Sequence, residues 1–515
     1  MKPLRSSLFS CVGCGRGIYN TIRSKSILQT SRRSYARPSI APKPSIDIKH
    51  IRQNPGLYAQ NCIDRNYDGH AKHSWRILEL HNKWLQCQRD ARGLRERSND
   101  VRRKIAMGGS RSGDADGEII ATGERGALFE EGKALKAQLT AIEEKEVEIQ
   151  AEIEALALEL PNLSSTHTPT GSLPEVIGFI NDHPEPKAAS SDRVWRSHVH
   201  IGSELGLLDF VGAATASGWG WYYLTNEAAL LEQALVQYAL STALKHGWKV
   251  VSPPSIVYSH IATACGFQPR DSDGVHQIYA LEQAEKDKAK PPLVLTGTAE
   301  IPLAAMKAGQ VIEASELPLK LVGVSRCYRA EAGARGVDTK GLYRVHEFTK
   351  VELFAWTLPE SPDEEHFTTA EKNSQPDALF QEMISIQTEI LQSLGLHCRI
   401  LEMPSTDLGA SANRKQDIEA FFPSRRDRDD GWGEVTSASI CTDYQSRRLA
   451  TRIRFSSRGG KLDFPYTLNG TALAVPRVLA AILENNWNEQ KMSITVPEVL
   501  RPWMGGMEVI SRKNK

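Results

Sequence analysis

From residue 71 to about 106, apolar positions recur with the spacing of a helix. Leu80, Cys87, Leu94 and Val101 fall seven residues apart. Ile77, Trp84, Ala91, Ser98 and Ile105 form a second such series beside them. A polar, glycine-containing break spans 108–126, and the pattern then resumes. Leu128, Leu135, Ile142, Ile149 and Leu156 form one seam, with Leu139, Ile153 and Leu160 on its neighbour. Sustained heptads predict a coiled coil. Two such helices joined by one loop predict an antiparallel pair, each roughly 50 Å long at the usual helical rise. Leu160-Pro161-Asn162 ends the second helix, because proline cannot continue it.

The pattern changes in the second half. Pro, Ser and Thr dominate from 161 to about 193 and predict a linker. An amphipathic helix follows over 226–246, with Leu230, Leu231, Ala234, Leu235, Tyr238 and Leu244 at helical spacing. Trp248-Lys-Val-Val is a short strand stopped by Pro253-Pro254. Further strands are predicted over 293–295, 319–328, 342–357, 398–403, 433–439 and 451–455. Helices are predicted over 377–394, 414–421 and 476–487, and surface loops over 282–290 and 359–376. Strands in succession with helices before and after them imply an α+β fold, an antiparallel sheet flanked by helices.

Composition adds boundaries. A chain of 515 residues holds two or three domains with sizeable cores. No apolar run approaches the roughly 20 residues a membrane helix needs, so no membrane partner is expected. The eight cysteines are scattered. Only Cys11 and Cys14 have metal-like spacing and no second pair completes a zinc site, so reduced, mostly buried thiols are expected. Residues 1–46 hold nine Lys or Arg, nine Ser and no acid; Asp47 is the first acidic residue. Such a stretch reads as an organelle transit peptide or, failing that, a basic tail. Arg33-Ser34-Tyr35-Ala36 is similar to a mitochondrial processing site, which places a transit segment at 1–45 and the mature chain in the mitochondrial matrix.

The net charge of +1 says nothing about a polyanionic partner, so any such partner must meet a local patch. The two long helices differ in this respect. Residues 71–106 carry ten Lys or Arg against four acids, and residues 125–160 carry four against nine. Either the helices neutralise each other across the seam, or the first presents a basic stripe to phosphates. The segment alone favours neutralisation.

Three groups of residues carry candidate chemistry. On the predicted strand over 342–357, alternation places Arg344, His346, Phe348, Lys350 and Glu352 on one face, and Arg329 and Glu331 share a face of the strand before it. Arginine there can bind phosphate, glutamate can accept from an amine, and phenylalanine can stack on a base. A salt-bridged surface hairpin is the alternative. The second group is Leu468-Asn-Gly-Thr-Ala-Leu-Ala-Val-Pro-Arg477, read as a turn leading into a helix. Pro476 suits the first helical turn, but Arg477 beside a helix N-terminus is electrostatically odd unless polyphosphate binds there. The third is Thr296-Gly-Thr298-Ala-Glu300, with Glu434 and Ser437 on another strand. Acids in such a site can hold Mg²⁺ or an ammonium group.

Taken together, these groups resemble the class II aminoacyl-tRNA synthetases, and among them the seryl-tRNA synthetases. The helix and strand ending at Pro253-Pro254 resemble motif 1, the dimer element; "CYRAEAG…YRVHEFTKVELF" resembles motif 2 and "NGTALAVPRVLAAILEN" motif 3. "TGTAEIPL" is similar to the serine-pocket signature, "EVTSASICTDYQSRR" to the strand before motif 3, and "DIKHIRQNP" with the coiled coil to the N-terminal arm. The resemblance runs from about residue 46 to the C-terminus in one order. It implies a tRNA-binding arm over 46–168, a catalytic domain over 169–515, a homodimer, ATP and Mg²⁺ as cofactors, and L-serine and tRNA-Ser as partners. It reverses the reading of the arm, which in this family grips tRNA.

By the same resemblance Arg329 holds the α-phosphate and the serine carboxylate, Glu331 accepts from the adenine amine, and Phe348 stacks on the ring. Val345, Val435 and Thr436 line the ATP site, Arg477 binds the γ-phosphate, and Glu434 and Ser437 ligate Mg²⁺. Thr298, Ala299, Glu300, Glu352, Asn469 and Thr471 shape the serine pocket. Departures are Ala472 and Pro476, where glycine is more common, and Val337, where a charge is common. Two rival readings compete with this one. His200-Ile-Gly and Lys491-Met-Ser hint at a class I enzyme, but neither lies in a nucleotide-binding βα unit. A catalytically inactive, tRNA-binding relative should have lost Arg329, Glu331, Glu434 or Arg477, and all four are present.

Overall fold

The computed structural model describes residues 41–109, 122–182, 196–267, 277–331, 341–360, 374–427, 429–456 and 459–512. The expected transit segment (apart from 41–45), the centre of the break between the long helices, and the loop 334–340 with Val337 lie outside them.

The heptads form two helices, His73–Gly109 and Thr122–Glu159. Their pairing is antiparallel: Arg76 meets Glu152 at 2.9 Å, Gln88 meets Glu146 at 2.7 Å, Arg95 meets Glu143 at 3.3 Å and Arg97 meets Glu131 at 2.9 Å. Ile77, Leu80, Cys87, Ala91 and Val101 are buried against Leu135, Ile149, Ile153 and Ala157. Trp84, Leu94, Leu128 and Leu156 remain half-exposed, because each helix has only one partner to cover it. Charge segregation therefore serves the seam in part. Arg89, Arg92, Arg102, Arg103 and Lys104 stay exposed along the first helix.

The root of this arm is fastened to the rest of the chain. Cys62, Tyr67, Ile77, Leu80, Ile149, Ile153 and Leu160 share one apolar cluster. The buried Arg65 donates to the carbonyls of Asn162 and Gly409, and the Asn162 amide donates to the Ser411 and Cys441 carbonyls at 2.9 Å each. Among the described residues no helix is long and apolar enough to cross a membrane. The six described cysteines are free and buried.

The remainder is built on an eight-stranded sheet. Its spatial order is Glu175–Ile180, Cys398–Glu402, Arg414–Phe421, Trp432–Thr442, Tyr466–Ala474, Glu347–Thr357, Leu319–Tyr328 and Lys249–Val251. Every pairing is antiparallel except the last, where Lys249–Val251 runs parallel to Leu319–Tyr328. The sheet is thus mixed at one edge. Helices Glu227–Lys245, Gln375–Ser393 and Val475–Asn485 bury one face in the main core. Val351, Leu353 and Ala355 point into that core, so Phe348, Lys350, Glu352, Phe354 and Trp356 must point the other way. Phe354 and Trp356 are covered there by the short helices Ser259–Ala264 and Glu300–Ala305.

Several expectations need correction. Residues 414–421, expected as a helix, are a strand. Arg, Lys, Gln, Glu and Ala favour helix in isolation, but here the segment completes ladders on both sides. Its charges find cross-strand partners, Arg414 with Glu402 at 2.8 Å and Arg399 with Glu419 at 2.6 Å. The expected linker contains the edge strand Glu175–Ile180, whose side chains are mostly exposed and so carry no alternation. Asn469-Gly470, expected as a turn, sits inside the central strand Tyr466–Ala474. Gly470 is there for space: a Cβ would lie 3.3 Å from Met383 Sδ and 3.4 Å from Ala438 Cβ. The strand expected from residue 342 begins at Glu347, and the preceding one ends at Tyr328. Arg329, Glu331, Arg344 and His346 are therefore loop residues with no shared strand face. In helix Glu227–Lys245, Leu231, Ala234, Leu235 and Tyr238 are buried, whereas Leu230 and Leu244 are exposed.

Candidate active site

A cleft opens on the sheet face away from the three long helices. It is lined by Arg329, Glu331, Tyr343, Arg344, Val345, Phe348 and Lys350 on one side, and by Glu434, Val435, Thr436, Ser437, Thr471, Pro476 and Arg477 on the other. Three adjacent strands and the helix after them thus bring together residues up to about 150 positions apart in the chain.

Phe348 comes first along the strand and packs with Cys327 and Val345. The Arg329 guanidinium lies over its ring, 5.3 Å from the centroid. Arg329 owes its place to backbone pairing, since its N–H donates to the His346 carbonyl at 2.9 Å. Glu331 has a φ of +46°, a conformation that costs a non-glycine residue about 1 kcal/mol. Its carboxylate pairs with Arg344 at 3.2 Å. His346 turns away from the cleft, its Nδ1 meeting Tyr279 Oη at 3.0 Å and the Arg329 carbonyl at 2.9 Å.

The opposite wall depends on an irregularity. Residues three apart on a regular strand face opposite sides. The ladder between Arg414–Phe421 and Trp432–Thr442 slips by one residue where Ile418 pairs with Thr436 and Glu419 with Glu434. This bulge leaves Val435 in the core and brings both Glu434 and Ser437 to the cleft. Arg477 closes this wall. Its Nη1 donates to the Glu434 carbonyl at 2.9 Å and lies 3.3 Å from the Glu434 carboxylate, and its Nε donates to the Tyr343 carbonyl at 3.0 Å. Burial alone would raise the Glu434 pKa; Arg477, then Lys415 and Arg329, bring it down to about 2. The cation at the helix N-terminus is thus offset by an anion on the neighbouring strand.

Deeper along the same strand the chemistry becomes that of paired acids. Lys350 Nζ and Glu352 Oε2 are 2.6 Å apart and both residues are buried. Thr471 Oγ1 donates to Glu352 Oε2 at 3.4 Å, while Glu352 Oε1 is buried with no hydrogen-bond partner among the described residues. Glu300 stands nearby and accepts from Gln445 Nε2 at 2.5 Å. Burial first, and the Glu352 charge second, raise its pKa to about 8 against the opposing pull of Lys350, Gln445 and Arg329. Thr298 and Ala299 are buried beside it, with Thr298 Oγ1 accepting from the Glu300 N–H at 3.3 Å. Lys350 and Thr471 reach the open cleft, whereas Thr298, Ala299, Glu300 and Glu352 lie beneath it. Asn469 shares the Thr471 face, but its amide oxygen is engaged by Cys441 Sγ at 3.4 Å and it does not line the cleft.

Three participants were not anticipated from the sequence. In the sequence Lys350 has a face but no role, and Tyr343 and Gln445 stand inside motifs with no individual role. The i, i+2 spacing of Lys350 and Glu352 could have suggested their pairing. Nothing local marks Gln445, which comes from a separate helix.

Glu300 makes a pH prediction. Its pKa rises from an ordinary 4.5 to about 8, so the folded chain keeps a proton that the unfolded chain releases between those values. The stability it contributes is full below 4.5 and is lost as pH rises to about 8. Glu300→Gln mimics the protonated form. It should change Tm little at pH 4.5 and raise it by at least several degrees at pH 9, as measured by calorimetry. Equal Tm values at both pH values would contradict the assignment.

Comparison with known proteins bears on most of the chain. Residues 279–486 match the tRNA synthetase class II core domain of the G, H, P, S and T group, and residues 46–164 match the seryl-tRNA synthetase N-terminal domain. The mitochondrial serine–tRNA ligase of Saccharomyces cerevisiae is 44% identical over 380 residues, covering 73% of this chain and 78% of that protein. The serine–tRNA ligase of Rhodopirellula baltica is 37% identical over 463 residues, covering 89% of this chain and 98% of that protein. Among solved structures, seryl-tRNA synthetase from Pyrococcus horikoshii complexed with ATP superposes with a TM-score of 0.76 at 28% identity, covering 91% of this chain and all of that one.

Proposed function

The chain belongs to the seryl-tRNA synthetase family, and from that premise we propose how its cleft works. The activity is that of a serine–tRNA ligase. L-Serine and ATP give seryl-adenylate and pyrophosphate, and a ribose hydroxyl at the 3′ end of tRNA-Ser then takes the seryl group as AMP leaves. No protein nucleophile is required. A serine carboxylate oxygen attacks the α-phosphorus while the bond to pyrophosphate breaks, and the protein contributes positioning and charge neutralisation.

Arg329 lies between the two halves of the site and meets both the carboxylate and the α-phosphate. Phe348 and Val345 take the adenine, with the Phe348 ring already carrying a cation on one face. Glu331 turns from Arg344 to accept from the adenine amine. Arg477 takes the γ-phosphate beside Val435 and Thr436. Glu434, held anionic, and Ser437 offer hard oxygen donors on one side of the bulge, a set that fits Mg²⁺. A Mg²⁺ held by Glu434 and Ser437 would supply charge neutralisation for the polyphosphate. Glu352 and Glu300, with Thr298, Ala299, Thr471 and Asn469 around them, receive the serine ammonium and hydroxyl. The observation that carries this reading is the Oε1 of Glu352, buried without a hydrogen-bond partner among the described residues and aligned with the strand that carries Phe348. An inactive, tRNA-binding relative gains no support, since Arg329, Glu331, Glu434 and Arg477 converge on one cleft.

The arm takes tRNA. Its first helix keeps Arg102, Arg103 and Lys104 exposed after pairing other arginines with the second helix. Exposed Leu230 (50%), Leu244 (52%) and Val250 (48%) on the motif 1 helix and strand suit burial by a second copy. Residues 1–45, basic and free of acids, fit delivery to the mitochondrial matrix, in keeping with the mitochondrial relative. The arm provides the test. Reversing Arg102 and Lys104 to glutamate should weaken tRNA-Ser binding by at least about tenfold and lower its salt slope by about 2. Serine-dependent ATP–pyrophosphate exchange should be unchanged. Unaltered tRNA affinity would remove the arm from the binding surface.

A further inference from the structure

Behind the nucleotide wall lies a buried polar network that none of these roles uses. Glu484 sits in the last turn of helix Val475–Asn485, seven residues after Arg477, so the two share a helix face two turns apart. Its carboxylate accepts five hydrogen bonds: from the His198 N–H at 3.0 Å, His198 Nδ1 at 2.8 Å, Tyr343 Oη at 2.9 Å, Ser424 Oγ at 3.0 Å and the Ser424 N–H at 3.2 Å. His198 is fully buried, and its Nε2 accepts from the Leu342 N–H at 2.9 Å. That backbone donor sets the tautomer, so Nδ1 carries the proton and donates to Glu484.

The network grips one place in the chain. Gly341 has a φ of +87°, and a Cβ there would stand 2.3 Å from His198 Nε2, so backbone and ring are in direct contact. Leu342 follows into the core. Tyr343 then spans the helix face, its hydroxyl on Glu484 and its carbonyl on Arg477 Nε at 3.0 Å. Burial opposes ionisation of Glu484, but the hydrogen bonds from His198, and then from Ser424, hold its pKa below the usual range.

We infer that His198 and Glu484 are positioning residues for the nucleotide half of the site: they fix residues 341–343, and through the Tyr343 carbonyl they aim Arg477. Neither touches the cleft. The inference rests on the assignment of Arg477 to ATP. A purely structural role would weaken ATP and serine kinetics together, or change stability alone. A positioning role selects ATP.

The test is serine-dependent ATP–pyrophosphate exchange with the full chain. His198→Ala should raise KM for ATP by about tenfold, the scale of one lost hydrogen bond, with KM for serine within about twofold. In His198→Gln, an amide oxygen near the Nε2 position accepts from the Leu342 N–H, and most of the loss should be recovered. Tyr343→Phe removes only the hydroxyl; it should raise KM for ATP by about threefold and serves as the test if His198→Ala does not fold. Variants with unchanged KM for ATP, or with ATP and serine shifted by one common factor, overturn the inference. Absence of exchange in the unsubstituted chain would instead remove the assignment on which it rests.

Discussion

Arg329→Ala is expected to lower serine-dependent ATP–pyrophosphate exchange by about 10³-fold or more, the scale set by removing a transition-state cation from a preorganised site. In the proposed reading, Arg329 is the cation that meets both the carboxylate and the α-phosphate. Its guanidinium is carried over the Phe348 ring, 5.3 Å from the centroid, by a backbone N–H that pairs with the His346 carbonyl. Removing the side chain leaves that backbone bond intact. The stability lost is that of one cation–π contact, about 0.5–1 kcal/mol, so the fold should persist. Affinity for tRNA-Ser, which the proposal assigns to the arm, should stay within about twofold. Pre-steady-state measurement should place the defect in adenylate formation. Retained exchange in a folded Arg329→Ala chain would contradict the role.

Glu352→Gln should have the second largest effect, and on the other substrate. The change removes the charge paired with Lys350 at 2.6 Å and weakens the acceptor offered by Oε1. A site built to hydrogen-bond a hydroxyl rejects the analogue lacking it by about 10⁴–10⁵. Much of that discrimination between serine and alanine should therefore collapse, with kcat/KM for serine falling by about 10²–10³ and KM for ATP little changed. Lys350 would be left buried without its partner, so some stability is lost as well. Circular dichroism at the assay temperature separates that loss from the kinetic one. A chain that stays folded and keeps serine kinetics would exclude Glu352 from the pocket.

Much of this was legible in the sequence, for physical reasons that differ by region. The arm could be read from heptads, because a two-helix seam writes its period directly into the chain. The strand Glu347–Thr357 was legible because one face is core and the other is site, giving Val351 and Leu353 against Lys350 and Glu352. What failed was long-range. Residues 414–421 carry helix-forming side chains, and only the two strands that flank them make them a strand. Gly470 reads as a turn until the Met383 side chain packed over it is known. The bulge at Val435 cannot be seen without the ladder it interrupts, yet it alone puts Glu434 and Ser437 on one side. Chemistry was therefore easier to read than register. The residue types that bind phosphate, stack on a base or accept from an amine announce themselves, whereas the faces they occupy are set by neighbours far away in sequence.

The central claim is that this cleft activates serine with ATP. The most direct measurement is exchange of labelled pyrophosphate into ATP by the purified full-length chain, run with Mg²⁺ and each amino acid in turn. Serine should support exchange, threonine and alanine should be orders of magnitude weaker, and omission of Mg²⁺ should abolish the signal. A folded chain that shows no serine-dependent exchange, or that responds better to another amino acid, would contradict the account.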